Sequence, residues 1–288
     1  MRPITVTVGP LATASANNIC TSQTAGSASA LLMNGTLVST SFVGTGSISG
    51  NILTITAVTS GLLAVRQPVS GLGVAANTLV GGTTPITGSG GIGTYVVTPA
   101  QKRSSTTIYG APVATLDTPR RVLITAVGNE TSRTFTVTGT DWANNPITEL
   151  ITGPSAASVY TNLDFKTVTS VLIDGASSDN ITVGTTTVAS SPWVRLDEFS
   201  VGQVGIQVTV TGTVTYSLQQ TLQDPNSPFL PVAPYQVVWL NSADASAVNS
   251  NTTIQSNYTY APLYAKATIT SGTGSLTVTY SQYSNAPY

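Results

Sequence analysis

The sequence predicts an all-β chain: two β-sandwich or barrel-like domains, with a small glycine-rich β domain inserted in the first. Three observations predict it. Apolar and hydroxyl side chains alternate with a period of two through several runs, the mark of half-buried strands. In residues 134–138 (TFTVT), Phe135 and Val137 face one way and the threonines the other. Gly, Asn, Asp and Pro interrupt these runs at short, regular intervals, as in sandwiches and barrels. No stretch carries the 3.6-residue apolar spacing of an amphipathic helix.

The first domain takes in residues 1–42 and 111–192. It opens on an alternating strand at residues 4–8. Residues 12–29 are small and polar, and read as a loop or as an arm that becomes ordered against a neighbour. Residues 30–38 contain Asn34-Gly35, a strong hairpin signal between apolar runs. Residues 43–110 are much richer in glycine, with short strands expected at 51–58, 62–69, 77–80 and 93–97. Their flanks, 39–42 and 109–114, would join directly if the segment were cut out. It therefore reads as an insertion, and insertions succeed at exposed loop tips.

The clearest strand signals follow the insertion. Runs at 122–127, 134–140 and 147–151 are separated by Gly128-Asn129 and by Asn144-Asn145-Pro146. They predict a three-stranded antiparallel meander with Trp142 beside its second turn. Further strands are expected at 157–163, 167–173 and 181–188, with a turn at Asp174-Gly175. The C-terminal domain, 193–288, holds a long alternating run at 205–218 with Gly212 as a bulge or bend. A proline-rich crossing (224–234) leads to a strand at 235–240 containing Trp239. A polar loop (242–252) and runs at 258–263, 265–270 and 275–283 complete it. The motif Thr-Val-Thr-Tyr-Ser at 213–217 recurs at 277–281, a candidate internal relationship.

Composition narrows the function classes. The chain has 288 residues, enough for two or three domains. Only 7% are charged, against about a quarter in an ordinary soluble chain, and the net charge is -1. No basic stripe is present to capture nucleic acid. The 41% hydrophobic content, with β-branched alternation, argues against disorder. The lone Cys20 excludes an internal disulfide and favours assembly in a reducing cytosol. The start, MRPITVTVGP, lacks the apolar core of a secretory signal, and no run is long enough for a membrane helix.

The chain has no histidine, which removes Ser-His-Asp and Cys-His catalysis together with His-based metal sites. Cys20 then reads as a bystander thiol. Asp141 and Glu149 flank the 142–148 turn and are the one carboxylate pair placed as a glycosidase pair would be; the plainer reading is a solvated turn and edge residue. Asp197 and Glu198 are adjacent and point to opposite faces of a strand. Asp174, Asp179 and Asn180 could offer oxygens to calcium, without the spacing of an EF-hand. Arg120-Arg121 and Lys102-Arg103 are the adjacent basic pairs. Asp117 or Glu130 is the expected partner of the first, or an acidic neighbour in an assembly. GSGGIG, from Gly88, lacks the Lys-Ser/Thr of a phosphate loop. Sequons at Asn34, Asn129, Asn180, Asn251 and Asn257 read as accidents of a Thr-rich chain. Of the 11 tyrosines, several cluster late, and Tyr283 and Tyr288 are candidates for contact with another chain. No catalytic, cofactor-binding or metal-binding residue is assigned, and no cofactor is expected.

Four segments carry a resemblance: TVTVGPLATASANNICTSQT (5–24), LDTPRRVLITAVGNETSRTFTVTGTDWANNPITELITG (116–153), LDFKTVTSVLIDG (163–175) and VTYSLQQTLQDPN (214–226). They resemble the β-rich virion structural proteins of tailed bacteriophages. The 43–110 segment resembles the glycine-rich β modules of phage surface proteins. The resemblance implies a non-enzymatic virion component, assembled in the bacterial host cytoplasm. The role expected first is a capsid decoration, or cement, protein. Its partners would be the major capsid protein and copies of itself in a small homo-oligomer, with a trimer favoured. Residues 1–24 would contact the shell and 43–110 would face outward, toward the host surface. Neither nucleic acid nor membrane is an expected partner. The alternative is a tail, collar or fibre component that binds a host receptor.

Overall fold

The computed structural model describes residues 3–39, 41–64, 67–75, 78–81, 87, 89–197 and 203–282. The fold is all-β. Among the described residues the helical content is two single 3-10 turns, Pro234–Gln236 and Ala245–Ala247. The chain begins with β1 (Ile4–Val8), β2 (Ser15–Gln23) and β3 (Ser29–Ala30). β4 (Phe42–Ser60), β5 (Val69–Ser70), β6 (Leu79–Val80) and β7 (Gly93–Gly110) form the glycine-rich segment. Next come β8 (Ala114–Arg120), β9 (Val122–Ala126), β10 (Thr134–Thr140), β11 (Pro146–Thr152), β12 (Ser158–Tyr160), β13 (Phe165–Ile173) and β14 (Ile181–Thr185). The last are β15 (Ala189–Ser190), β16 (Val194–Arg195), β17 (Val204–Thr211), β18 (Val214–Thr221), β19 (Leu240–Asn241), β20 (Ile254–Tyr258), β21 (Tyr264–Gly272) and β22 (Ser275–Gln282).

The strands pair into two sandwiches and a coiled ribbon. In the first sandwich, a β11-β10-β13-β3 sheet with β8 on β13 faces a β12-β9-β14-β2 sheet. Phe135, Val137 and Phe165 from one sheet meet Ile19, Ile124 and Ile181 from the other in a common core. In the second, β1-β22-β17-β20 faces β15-β21-β18-β19, with β16 on β21. Its core includes Val8, Val208 and Val278 against Tyr216, Leu218 and Ile269. The inward residues are those the period of two selects, as the burial patterns of β10 and β17 show.

The glycine-rich segment has its own sheet and its own core of Phe42, Leu53, Ile55, Tyr95 and Val97. β4 and β7 pair from Phe42↔Gly110 to Ile55↔Gly93, with register shifts on the way. The ribbon turns at Gly50 (φ +62°) and folds over itself. A Cβ on Gly46 would lie 2.7 Å from the Thr54 carbonyl oxygen, so only glycine lets the two halves of β4 approach. Gln67 is fully buried; its Oε1 accepts from Ala64 N at 2.8 Å and its amide donates to the Ala111 carbonyl. Among the described residues of 62–69, Pro68 bridges to Leu79 and Val69 pairs with β7, while Gln67 ties Ala64 through its side chain instead of a ladder bond; residues 65 and 66 lie outside the described residues. Of 77–80, Leu79–Val80 pairs with β7, while Asn77 lies outside the described residues. The segment's two ends are brought together by the Val38↔Ala114 bridge and by Ser39 N donating to Val113 O at 2.9 Å.

Several expectations are corrected. Ile4–Val8, expected with the first domain, pairs along its length with β22 of the second sandwich. Residues 12–29 are not an arm: Ser15–Gln23 is a strand of the first sandwich, with Asn18, Ile19 and Cys20 buried. Asn34-Gly35 makes no hairpin. The Asn34 side chain accepts from Thr21 N at 2.9 Å and Gly35 N donates to Ile19 O, so the segment lies along β2 as a cap.

The expected meander is half right. β10 and β11 form the second hairpin, closed at Thr140↔Pro146, but β9 and β10 sit in opposite sheets. The connection through Gly128-Asn129 is anchored from outside: Glu130 N donates to Pro154 O, and Ser178 N donates to Glu130 Oε1 at 2.6 Å. The run 205–218 is two strands. Gly212 (φ +77°) ends β17 and the chain crosses to the facing sheet as β18. Gly272 (φ +96°) does the same between β21 and β22. The repeated Thr-Val-Thr-Tyr-Ser begins before β18 but well inside β22, so its two copies are not equivalent positions. Residues 235–240 are a strap with only Leu240–Asn241 paired, since Val238 N is taken by the Gln223 side chain at 2.7 Å.

Candidate functional site

The seam between the two sandwiches gathers Lys266, Asp164, Arg121 and two of the three tryptophans. Lys266, on β21, is 1% exposed. Its Nζ lies 4.3 Å from the centroid of the Trp239 ring, which the 235–240 strap lays over it. Trp193 meets Trp239 edge-on at 5.0 Å and Tyr264 at 6.1 Å. Burial drives the Lys266 amine down to about 8, with the Asp164 charge opposing that shift and Arg121 adding to it. Asp164 is pushed up from the ordinary carboxylate range by burial, against the pull of Arg121, Lys266 and Ser190 hydrogen bonds. Its Oδ1 is buried without a hydrogen-bond partner, as is Arg121 Nε. The Arg121 guanidinium lies 5.4 Å from the Tyr160 ring.

Two openings flank this group. A recess of about 540 Å³ is lined by Arg121, Asn162, Trp239 and Lys266. A cleft of about 470 Å³ is lined by Trp142, Asn145, Asp164, Trp193, Asn226 and Tyr264, among others. Trp142 stands at the tip of the β10–β11 hairpin with 57% of its surface exposed. The hairpin tip is rigid: Asp141 Oδ1 accepts from Ala143 N and Asn145 N, each at 2.8 Å, and Oδ2 accepts from Asn145 Nδ2 at 3.0 Å. Asn144 takes φ 64°, a conformation asparagine tolerates.

The residues singled out from the sequence are not brought together. Both oxygens of Asp141 serve its own turn. Glu149 is buried and accepts from Asn162 N at 2.7 Å and Leu163 N at 2.9 Å. Burial raises its carboxyl, and those two hydrogen bonds oppose the rise. Each carboxylate holds backbone in place. Cys20 is in the first core, and burial raises its thiol to about 12. Asp179 accepts from Asn180 N at 2.7 Å, and among the described residues no group of three or more Asp, Glu or Cys side chains is placed to hold a metal ion.

Arg120 is paired with Asp117, one of its two expected partners. It also donates to Ala12 O at 3.0 Å and Thr186 O at 3.2 Å, and Asp117 accepts from Ala12 N at 2.6 Å. This pair clamps the chain where it passes from β1 to β2. Arg103 packs under Gly73 and Lys102 is exposed. Among the late tyrosines, Tyr258 and Tyr280 are core residues and Tyr260 is exposed. Tyr283 and Tyr288, like Gly88 and Glu198, lie outside the described residues.

Comparison with protein-family models, with curated proteins and with solved structures yields no match. Sequence reading did not assemble Asp164, Trp193, Trp239, Tyr264 and Lys266, which are distant in the chain. One signal was present: Lys266 interrupts YAKATIT, where every neighbour from Tyr264 to Ile269 is buried. A lone cation in such a run must find a ring or a carboxylate.

Proposed function

We propose that the protein is a non-enzymatic structural component of a tailed-bacteriophage virion, and specifically a capsid decoration protein that binds the outer shell. The sequence resemblance supports the virion setting. The observation that carries the binding role is the pair Phe229 and Leu230, 94% and 76% exposed, in the proline-rich crossing between β18 and β19 of the second sandwich. Large apolar side chains held in water mark contact surfaces. Pro228 and Pro231 frame the pair, and Ser227 Oγ accepts from both backbone amides at 3.4 Å. A segment so restrained loses little entropy on docking.

The shell contact expected of residues 1–24 passes to this crossing, because β1 and β2 are paired edge strands of the two sandwiches and not a free arm. The rest of the surface suits a coat. On the outer face of β1 and β22, Thr5 pairs with Thr279 and Thr7 with Thr277 through their hydroxyls, at 2.9 and 3.0 Å. A protein that binds only assembled shell stabilises it by mass action. A tail or collar component with receptor binding is the second reading, and the cleft beside Trp142 favours it.

Quantitative mass spectrometry of purified particles, against the major shell subunit, tests the proposal. Copies in the range of the shell subunit are expected. A few per cent of that number would place the protein in a tail or collar, and absence from particles would overturn the virion reading. Phe229→Ser with Leu230→Ser should abolish particle binding while leaving the melting temperature within a degree or so, since surface changes outside packed sites are usually near neutral.

A further inference from the structure

We infer that the cleft beside Trp142 is a binding site for a neutral saccharide, stacked on the exposed indole and hydrogen-bonded by the amides and carboxylate of its rim. The site stands whether the protein occupies a capsid or a tail.

The first observation is the presentation of Trp142. An indole 57% exposed at the tip of a hairpin is usually mobile or packed on a neighbour. Here three hydrogen bonds to one carboxylate, that of Asp141, fix the tip, and Asn145 Nδ2 gives one of them. The backbone that carries the indole is therefore fixed beside an opening, and the turn has already met that part of the ordering cost.

The second observation is the chemistry of the walls. The cleft lies at the junction of two sandwiches, where ligand sites recur, and its volume of about 470 Å³ falls within the range of small-molecule sites. Two further aromatic residues, Trp193 and Tyr264, line it. The polar lining is made of carboxylate, amide and hydroxyl groups: Asp164, Asn145, Asn226 and two serines. Among the described residues no lysine or arginine lines it. A sugar ring offers what these groups lack: a patch of C–H bonds for an aromatic face and adjacent hydroxyls that donate and accept.

The third observation is charge. Asp141 and Asp164 both border the cleft, while Arg121 and Lys266 border the other recess. A sialylated or sulfated glycan would meet two carboxylates, while the cations that act on Asp164 line the other recess and not this cleft. A proline-rich peptide is the other ligand that uses aromatic grooves. The cleft suits it less, because Pro119, Pro192, Pro225 and Pro234 in the walls have no N–H to give to peptide carbonyls.

The test uses the full-length protein on an immobilised panel of neutral and sialylated oligosaccharides, with a proline-rich decapeptide on the same surface. Binding to at least one neutral glycan is expected, accompanied by a change in tryptophan fluorescence. Trp142→Ala should weaken it about tenfold or more, the scale of one lost aromatic contact, while Trp142→Tyr retains most of it. Because Trp142 is exposed, both variants should melt with the wild type. Absence of binding to every neutral glycan, binding of the sialylated glycans or the decapeptide instead, or a Trp142→Ala variant that binds as the wild type would each overturn the proposal.

Discussion

Lys266 shows how one residue can set a pH response in a chain with few charges. Its amine titrates near 8 in the fold against an ordinary 10.5. Between those values the unfolded chain holds more protons at this site than the folded one, so stability rises with pH. Below about 8 the cost of burying the charged amine is present in full. The shift corresponds to roughly 3 kcal/mol. Asp164 and Arg121 are the charged groups that act on it, with the Trp239 ring above. Cys20 and the buried tyrosines have raised values and pull the other way in alkali. The contribution is therefore read as a difference. Urea unfolding of wild type and Lys266→Met from pH 7 to 10.5 should show the gap between them shrinking as pH rises; a constant gap would mean that Lys266 keeps its proton. At Cys20 the expected outcome is simpler. The native thiol should resist an aromatic disulfide reagent at pH 8 and react fully in urea, because the thiolate is the nucleophile and burial suppresses it.

Legibility differs among the elements, and the reason is whether a signal is local. β10, β13 and β22 could be read because alternation alone fixes which side chains turn inward. Their partners could not. Gly128-Asn129 and Gly212 each mark a reversal, but a hairpin and a crossing between facing sheets use the same residues. What separates them is distant: Glu130 tied to Ser178 in one case, Gly272 stacked against Thr213 in the other. Asn34-Gly35 failed similarly, since its cap on β2 depends on Thr21. The seam was the least legible part, being assembled from residues 119 to 266 by the packing of two sandwiches. The glycine-rich segment makes the element-scale prediction. Val38 and Ala114 are bridged at its base. Replacing residues 42–110 with an Asn-Gly turn should leave a folded protein with both sandwiches intact, as judged by amide exchange. Aggregation of that variant would show that the segment's core is needed by the rest.

The whole chain is laced together at its start. β1 belongs to the second sandwich, Leu11 packs in that same core, and β2 belongs to the first. Between them Ala12 is held by Arg120 and Asp117. The chain therefore crosses the seam twice, once after β1 and again after β14, and neither sandwich can open without pulling a strand from the other's neighbourhood. Thr187, donating to Thr270 O at 3.4 Å, and the ring contacts of Trp193 add to the same seam. Such coupling predicts that the two sandwiches melt as one cooperative unit, although their cores are separate. The 42–110 ribbon, which has a core of its own, should melt independently. Calorimetry should then resolve two transitions, and the variant lacking the ribbon only one. Asp117→Ala is the decisive change. It leaves Arg120, 1% exposed, without its counter-charge; since the Asp117 side chain is 29% exposed and Arg120 keeps its carbonyl partners, the cost is about 2 kcal/mol. If the lacing argument holds, that variant shifts the merged transition downward as a whole or splits it in two, and leaves the ribbon's transition in place. A wild type that already shows three transitions would mean that the crossing at Ala12 transmits nothing between the sandwiches.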